Sequence, residues 1–139
     1  MKIVEGVYVA SATEQLALVE KYVDRLREWG FTITYEWTKD VREAGFKSDS
    51  ELSDIQRRYA ARMDSHGVAT CEMLWVLTPQ SKNEGCGMWI ELGMALALKK
   101  RVIISGPQAR RSVFSELCEA RFETHEEAFK YLLAKGSDE

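Results

Sequence analysis

The chain has 139 residues, enough to bury a hydrophobic core of its own, and a single domain over residues 1–139 is expected. With 45% hydrophobic and 29% charged residues it reads as a globular protein. A net charge of −3 gives no electrostatic reason to expect a nucleic-acid polymer or an anionic membrane as partner.

The opening MKIVEGVYVA is too short and too interrupted for a signal peptide, and the apolar run around Met88 to Leu98 falls short of a membrane span. Cys71, Cys86 and Cys118 are odd in number and lack metal-ligand spacing. A cytoplasmic chain with reduced thiols, no metal and no cofactor is expected.

Strand and helix periods alternate along the chain. KIVEGVYVA predicts a first strand, Lys2 to Ala10, followed by a capping-box pattern at Ser11-Ala-Thr-Glu14. Leu16, Val19, Tyr22, Val23 and Leu26 recur at helical spacing, and Gly30 ends that helix. FTITYEW, Phe31 to Trp37, reads as a second strand, and the aperiodic stretch from Thr38 to Lys47 as a long loop. A second capping box, Ser48-Asp-Ser-Glu51, opens a polar helix whose inward stripe is Leu52, Ile55, Tyr59 and Met63. MLWVLTP is a continuous apolar strand, the pattern of the middle of a parallel sheet. EGCGMWIELGMALALKK then gives a glycine-rich loop and an apolar helix, RVIISGP a fourth strand and EARFET a weaker fifth. Thr124-His-Glu-Glu127 caps a last helix with Ala128, Tyr131 and Leu132 inward.

This alternation predicts an α/β fold: a flavodoxin-like (Rossmann-like), doubly wound, five-stranded parallel sheet with helices on both faces. Ligands of such sheets bind beyond the carboxyl ends of the strands. Here those ends are the loops after Ala10, Trp37, Thr78-Pro79 and Ser105-Gly106, which are expected to converge.

Glu91 is the anomaly. Its helical neighbours at three and four residues are Gly87, Met88, Met94 and Ala95, none able to pair with a carboxylate. Either it answers the positive end of the helix dipole, or it is a buried carboxylate with chemical work to do. Gly85 and Gly87, between strand and helix, let backbone approach a ligand and favour the second alternative.

GMWIELGMALALKKRVII resembles the signature of nucleoside 2-deoxyribosyltransferases, with Gly87, Glu91, Leu92, Gly93, Ala95, Ala97, Leu98, Lys100 and Val102 falling on the pattern. VYVAS is similar to that family's first strand. The resemblance implies that Glu91 is the nucleophile attacking the anomeric carbon and that Tyr8 hydrogen-bonds it, the alternative for Tyr8 being a core aromatic. A carboxylate suits an oxocarbenium-like transition state, as in a retaining glycosidase. The departing base needs a proton donor. Where the family has an acidic residue six positions before the nucleophile this chain has Gly85, so Glu84 is the first candidate and Glu72 the second.

Around this centre, Ser11 and Thr13 are candidates for sugar or 5′-phosphate, with capping as the alternative for Ser11. Trp37 is a candidate to stack on a base, while Trp89 is expected in the core or at a subunit contact. Ser81 and Asn83 are candidates beside Gly85 and Gly87, whereas Lys82 reads as a solvated turn residue. His66 and His125 read as surface groups, and Arg110 or Arg111 could meet a phosphate.

The resulting expectation is cleavage or transfer at the N-glycosidic bond of a small-molecule nucleoside or nucleoside 5′-monophosphate. The Gly85-Cys-Gly87-Met-Trp-Ile-Glu91 loop also resembles that of cytokinin-activating phosphoribohydrolases, with Met88 where threonine is usual. A non-catalytic nucleotide-binding module of the same fold is the alternative from another class, followed by a flavodoxin-like interaction domain. The resemblance further implies a homodimer or higher homo-oligomer.

Overall fold

In the computed structural model, which describes residues 6–45, 49–82 and 84–136, side chains alternate across the strands and divide the interior in two. The strands are β1 (Gly6–Ala10), β2 (Thr32–Ile33), β3 (Met73–Leu77), β4 (Arg101–Ser105) and β5 (Ala120–Phe122). They form one parallel sheet in the order β2-β1-β3-β4-β5, the flavodoxin-like arrangement. The helices are α1 (Leu16–Glu28), α2 (Trp37–Ala44), α3 (Asp54–Thr70), α4 (Cys86–Ala97) and α5 (His125–Gly136).

Val7, Val9, Met73, Trp75, Leu77 and Ile103 point to one face, where α1 brings Val19, Tyr22, Val23 and Leu26 and α5 brings Ala128, Phe129 and Leu132. Tyr8, Ala10, Leu74, Val76, Val102 and Ile104 point to the other, against Val68 of α3 and Met88, Leu92 and Ala95 of α4. All five residues of β3 are buried, which explains its unbroken apolar sequence. Each large aliphatic side chain taken from water there contributes roughly 1.5–3 kcal/mol. Among the described residues no helix is long and apolar enough to cross a membrane.

Several local expectations are corrected. FTITYEW does not run as a strand to Trp37: only Thr32 and Ile33 belong to β2. The Trp37 indole N–H bonds the Val9 carbonyl at 2.7 Å, an acceptor that a longer strand could have used. Trp37 begins α2, so most of the expected loop is helix, ended by Gly45 at φ 67°. The apolar spacing Trp37, Val41, Ala44 carries that helix, but it is short and its other residues are polar.

Ser11 is not a cap. Its hydroxyl donates to the Leu77 carbonyl at 2.7 Å, and a short 3-10 turn at Thr13–Gln15 precedes α1. The capping box of α3 belongs to Ser53 and Gln56; Asp49–Glu51 form a 3-10 turn, and Ser48 lies outside the described residues. The Thr124–Glu127 box is present as expected, with bonds of 3.1 and 3.2 Å in the two directions.

Candidate active site

β1 carries Tyr8 into the layer between sheet and α3/α4, where its ring is fully buried. That position requires a glycine opposite. A Cβ on Gly67 of α3 would stand 2.6 Å from the Tyr8 ring and 2.8 Å from the Tyr35 Cβ, so only glycine lets this helix approach so closely. Thr34 fixes the approach by donating to the Gly67 carbonyl at 2.7 Å.

The Tyr8 hydroxyl donates to Glu91 Oε2 at 2.7 Å. Glu91 reaches it from the second turn of α4, whose entry is set by Gly85 at φ 91°, a left-handed conformation that side chains disfavour. Asp64, one turn before Gly67 on α3, faces the same space and is a third member of the group.

Burial, which penalises the charged form, pushes Glu91 up to about 8; the negative charge of Asp64 adds to the rise and the Tyr8 hydrogen bond opposes it. Burial likewise pushes Asp64 up to about 7. Tyr8 is raised well above an ordinary phenol, by burial first and by Glu91 second. Two carboxyl groups so coupled titrate as a unit, and between the two values the pair shares a single proton.

Tyr8, Asp64 and Glu91 line a cavity of about 840 Å³. Its wall includes Ser11, Thr13, Trp37, Gly85 and Gly87 from the sequence candidates, and Glu84 stands exposed on the same wall. Ser81 is not among the lining residues; its carbonyl accepts a bond from Gln108 at 2.9 Å. Asn83 lies outside the described residues. Three strand-end loops converge here, but the segment after β4 does not contribute, and neither do Arg110 and Arg111.

Glu72 is removed from the site. It precedes β3 at the amino end of the sheet, where its carboxylate accepts from the Gly6 N–H at 2.8 Å. The apolar stripe of α3 also differs from expectation. Leu52, Ile55 and Tyr59 line the cavity, with Ile55 76% and Tyr59 55% exposed, while Gly67 and Val68 are the residues that α3 buries.

His125 is no surface group: its Nδ1 lies 2.7 Å from Ser105 Oγ. Asp64 escaped the sequence reading because it sits in a polar helix with no motif around it. Its signal was the spacing 64, 67, 68, which places it on the face of the two buried residues. Among the described residues, no group of three or more His, Cys, Asp or Glu is arranged to hold a metal ion.

Among solved structures the chain is similar to a 2-deoxyribosyltransferase from the psychrotolerant bacterium Bacillus psychrosaccharolyticus, with a TM-score of 0.69 over 94% of each chain at 22% identity. The two share a fold. A CMP N-glycosidase from Clostridium botulinum aligns over 94% of this chain and 97% of its own, at 18% identity and a TM-score of 0.49. Neither a family model nor a curated protein matches the sequence.

Proposed function

We propose that the chain breaks the N-glycosidic bond of a nucleoside or nucleotide, with Glu91 as nucleophile, and passes the sugar to another base or to water. The observation that carries this reading is the 2.7 Å bond from the buried Tyr8 hydroxyl to one oxygen of Glu91 in the cavity wall. In the form that reacts, the proton the pair shares sits on Asp64 and Glu91 is the carboxylate; with Oε2 held, its other oxygen is available to attack C1′. The new C1′–O bond forms as the C1′–N bond breaks, and the electron pair of that bond leaves with the base.

Asp64 supplies the proton that the departing base requires. Its raised pKa lets it carry the proton shared with Glu91 near neutrality, whereas Glu84 is on an exposed part of the wall. In the second half-reaction the Asp64 carboxylate takes a proton from the incoming base or water, and Glu91 is released. Trp37, Ser11 and Thr13 contact base and sugar in this reading, and Gly85 and Gly87 let the α4 entrance approach them. The fold shared with a 2-deoxyribosyltransferase supports it.

We also propose a homo-oligomer, supported by the exposed apolar side chains Ile90 and Leu98 on and just after α4. A monomer by light scattering at micromolar concentration would remove that part alone.

The test is incubation of purified protein with deoxynucleosides, ribonucleosides and their 5′-monophosphates, with free base followed by chromatography. Base released by wild type and lost in Glu91→Ala is the expected result. Saturable binding without turnover of any of them would instead mark a nucleotide-binding module.

A further inference from the structure

Tyr8 has one proton to donate and two acids beside it. Its hydroxyl donates to Glu91 Oε2 at 2.7 Å and is also hydrogen-bonded to the Asp64 carboxyl. Packing brings both acids there. A Cβ on Gly67 would meet the Tyr8 ring at 2.6 and 2.7 Å, the second contact being with Cε1, next to the carbon that bears the hydroxyl. Helical side chains lean toward the N-terminus, so Asp64, one turn before Gly67 on α3, reaches past the ring edge to that hydroxyl. Asp64 acts on Glu91 through its charge, whereas Tyr8 is bonded to each. Burial raises both carboxyl groups and the Tyr8 bond lowers both.

A phenol carries a single O–H, so it donates to one acid at a time and accepts from the other when that one is protonated. A hydrogen bond to a carboxylate is roughly twice as strong as one to a neutral acceptor, so the ionised acid takes the donation. Sugar transfer moves that charge. Before it, Glu91 is the carboxylate and Asp64 holds the proton. After it, Glu91 is a neutral ester, and Asp64, having protonated the base, is the carboxylate.

We propose that the Tyr8 hydroxyl follows the charge, donating to Glu91 in the free enzyme and to Asp64 in the glycosyl-enzyme. This rests on the catalytic reading above and adds to it a second duty for Tyr8, beyond holding the nucleophile. Tyr8 neither gains nor loses a proton: the Asp64 proton goes to the base, and the phenol O–H turns about its C–O bond. The ring stays where it is, fully buried. Tyr8 is thus a positioning residue in both half-reactions, stabilising the charged acid of each.

Glu91→Gln supplies the uncharged nucleophile without any substrate. In that full-length variant the Asp64 carboxyl is titrated by carbon-13 NMR and compared with Tyr8→Phe/Glu91→Gln, with Asp64→Asn assigning the signal. Tyr8 of β1, Asp40 and Glu43 of α2, Asp49, and Glu84 before α4 share the cavity wall with Asp64, and of these only Tyr8 differs between the two proteins. Removing the hydroxyl is expected to weaken Asp64 as an acid on the order of tenfold, moving its midpoint to higher pH. Equal midpoints would mean that Tyr8 serves Glu91 alone, and the proposal falls.

A second measurement uses Tyr8→Phe by itself, which keeps the ring and its packing. Release of the first base and transfer of the sugar to a second base are followed separately in single turnovers. Both steps are expected to slow on the order of tenfold, and slowing of the first alone overturns the proposal. Equal midpoints with Glu91-dependent base release remove the shared donor and leave the catalytic reading. A shifted midpoint with base release indifferent to Glu91 removes that reading, and the duty proposed for Tyr8 with it.

Discussion

Two buried polar groupings lie on opposite faces of the same sheet, and burial acts on them in opposite directions. On the α1/α5 face, the Trp75 indole N–H donates to Ser105 Oγ at 2.9 Å, and Ser105 Oγ meets His125 Nδ1 at 2.7 Å. Burial lowers the His125 pKa, so the ring stays neutral and the chain of hydrogen bonds closes without a charge. On the α3/α4 face, Tyr8, Glu91 and Asp64 also lie in a low-dielectric setting, but their neutral forms are the protonated ones. The pKa values rise, and the carboxyl groups border a cavity. A closed neutral network contributes rigidity, whereas a pair of carboxyl groups sharing a proton beside an open space is suited to proton and sugar transfer.

The largest test of this contrast is Asp64→Asn. Loss of the proton donor should lower kcat/KM for base release by roughly a hundredfold. With coupled values of about 7 and about 8, the wild-type profile should be bell-shaped around neutral to mildly alkaline pH, and the variant should lose the alkaline limb. A hundredfold loss with both limbs intact would assign the proton to another group.

Next comes Gly67→Ala. A methyl group 2.6 Å from the Tyr8 ring and 2.8 Å from the Tyr35 Cβ must displace α3 from β1, at a cost of about 1–3 kcal/mol in denaturant unfolding, with base release impaired as well. Ser105→Ala should sharpen the comparison from the other face. It leaves the Trp75 N–H buried without its acceptor and lowers stability by about 1–3 kcal/mol, while kcat and KM stay unchanged. A kinetic effect as large as that of Asp64→Asn would erase the distinction between the two groupings.

The smallest effect is on stability against pH. A raised carboxyl pKa means that the folded chain holds a proton that the unfolded chain has released between pH 4.5 and about 8. The Glu91 contribution to stability therefore falls as pH rises through that window and is constant above it. Glu91→Gln removes this fall, so its Tm should exceed that of wild type by a few degrees above about pH 8 and converge with it below pH 4.5. Parallel Tm curves for the two proteins would mean that Glu91 ionises normally.

Elements with a long repeat were legible in advance. The stripe Val19, Tyr22, Val23, Leu26 buries as its spacing demands, β3 is apolar throughout because both its faces are covered, and the Thr124–Glu127 cap is local chemistry. α2 was not legible, since a two-turn helix with one apolar residue per turn differs little from a loop. The stripe of α3 misled because apolar residues that border a cavity obey the same period as residues that enter a core.

By itself, then, the amino-acid order determined the α/β layering and marked Glu91 as a carboxylate without a partner on its own helix. Local propensity and period contain that much. The partner, Tyr8, expected from the family resemblance and not from any period, stands 83 residues away on another element, and Asp64 joins them only because Gly67 lets α3 close on β1. Such contacts, and the pKa shifts that burial imposes on them, arise when distant segments pack together, and no period along one segment encodes them.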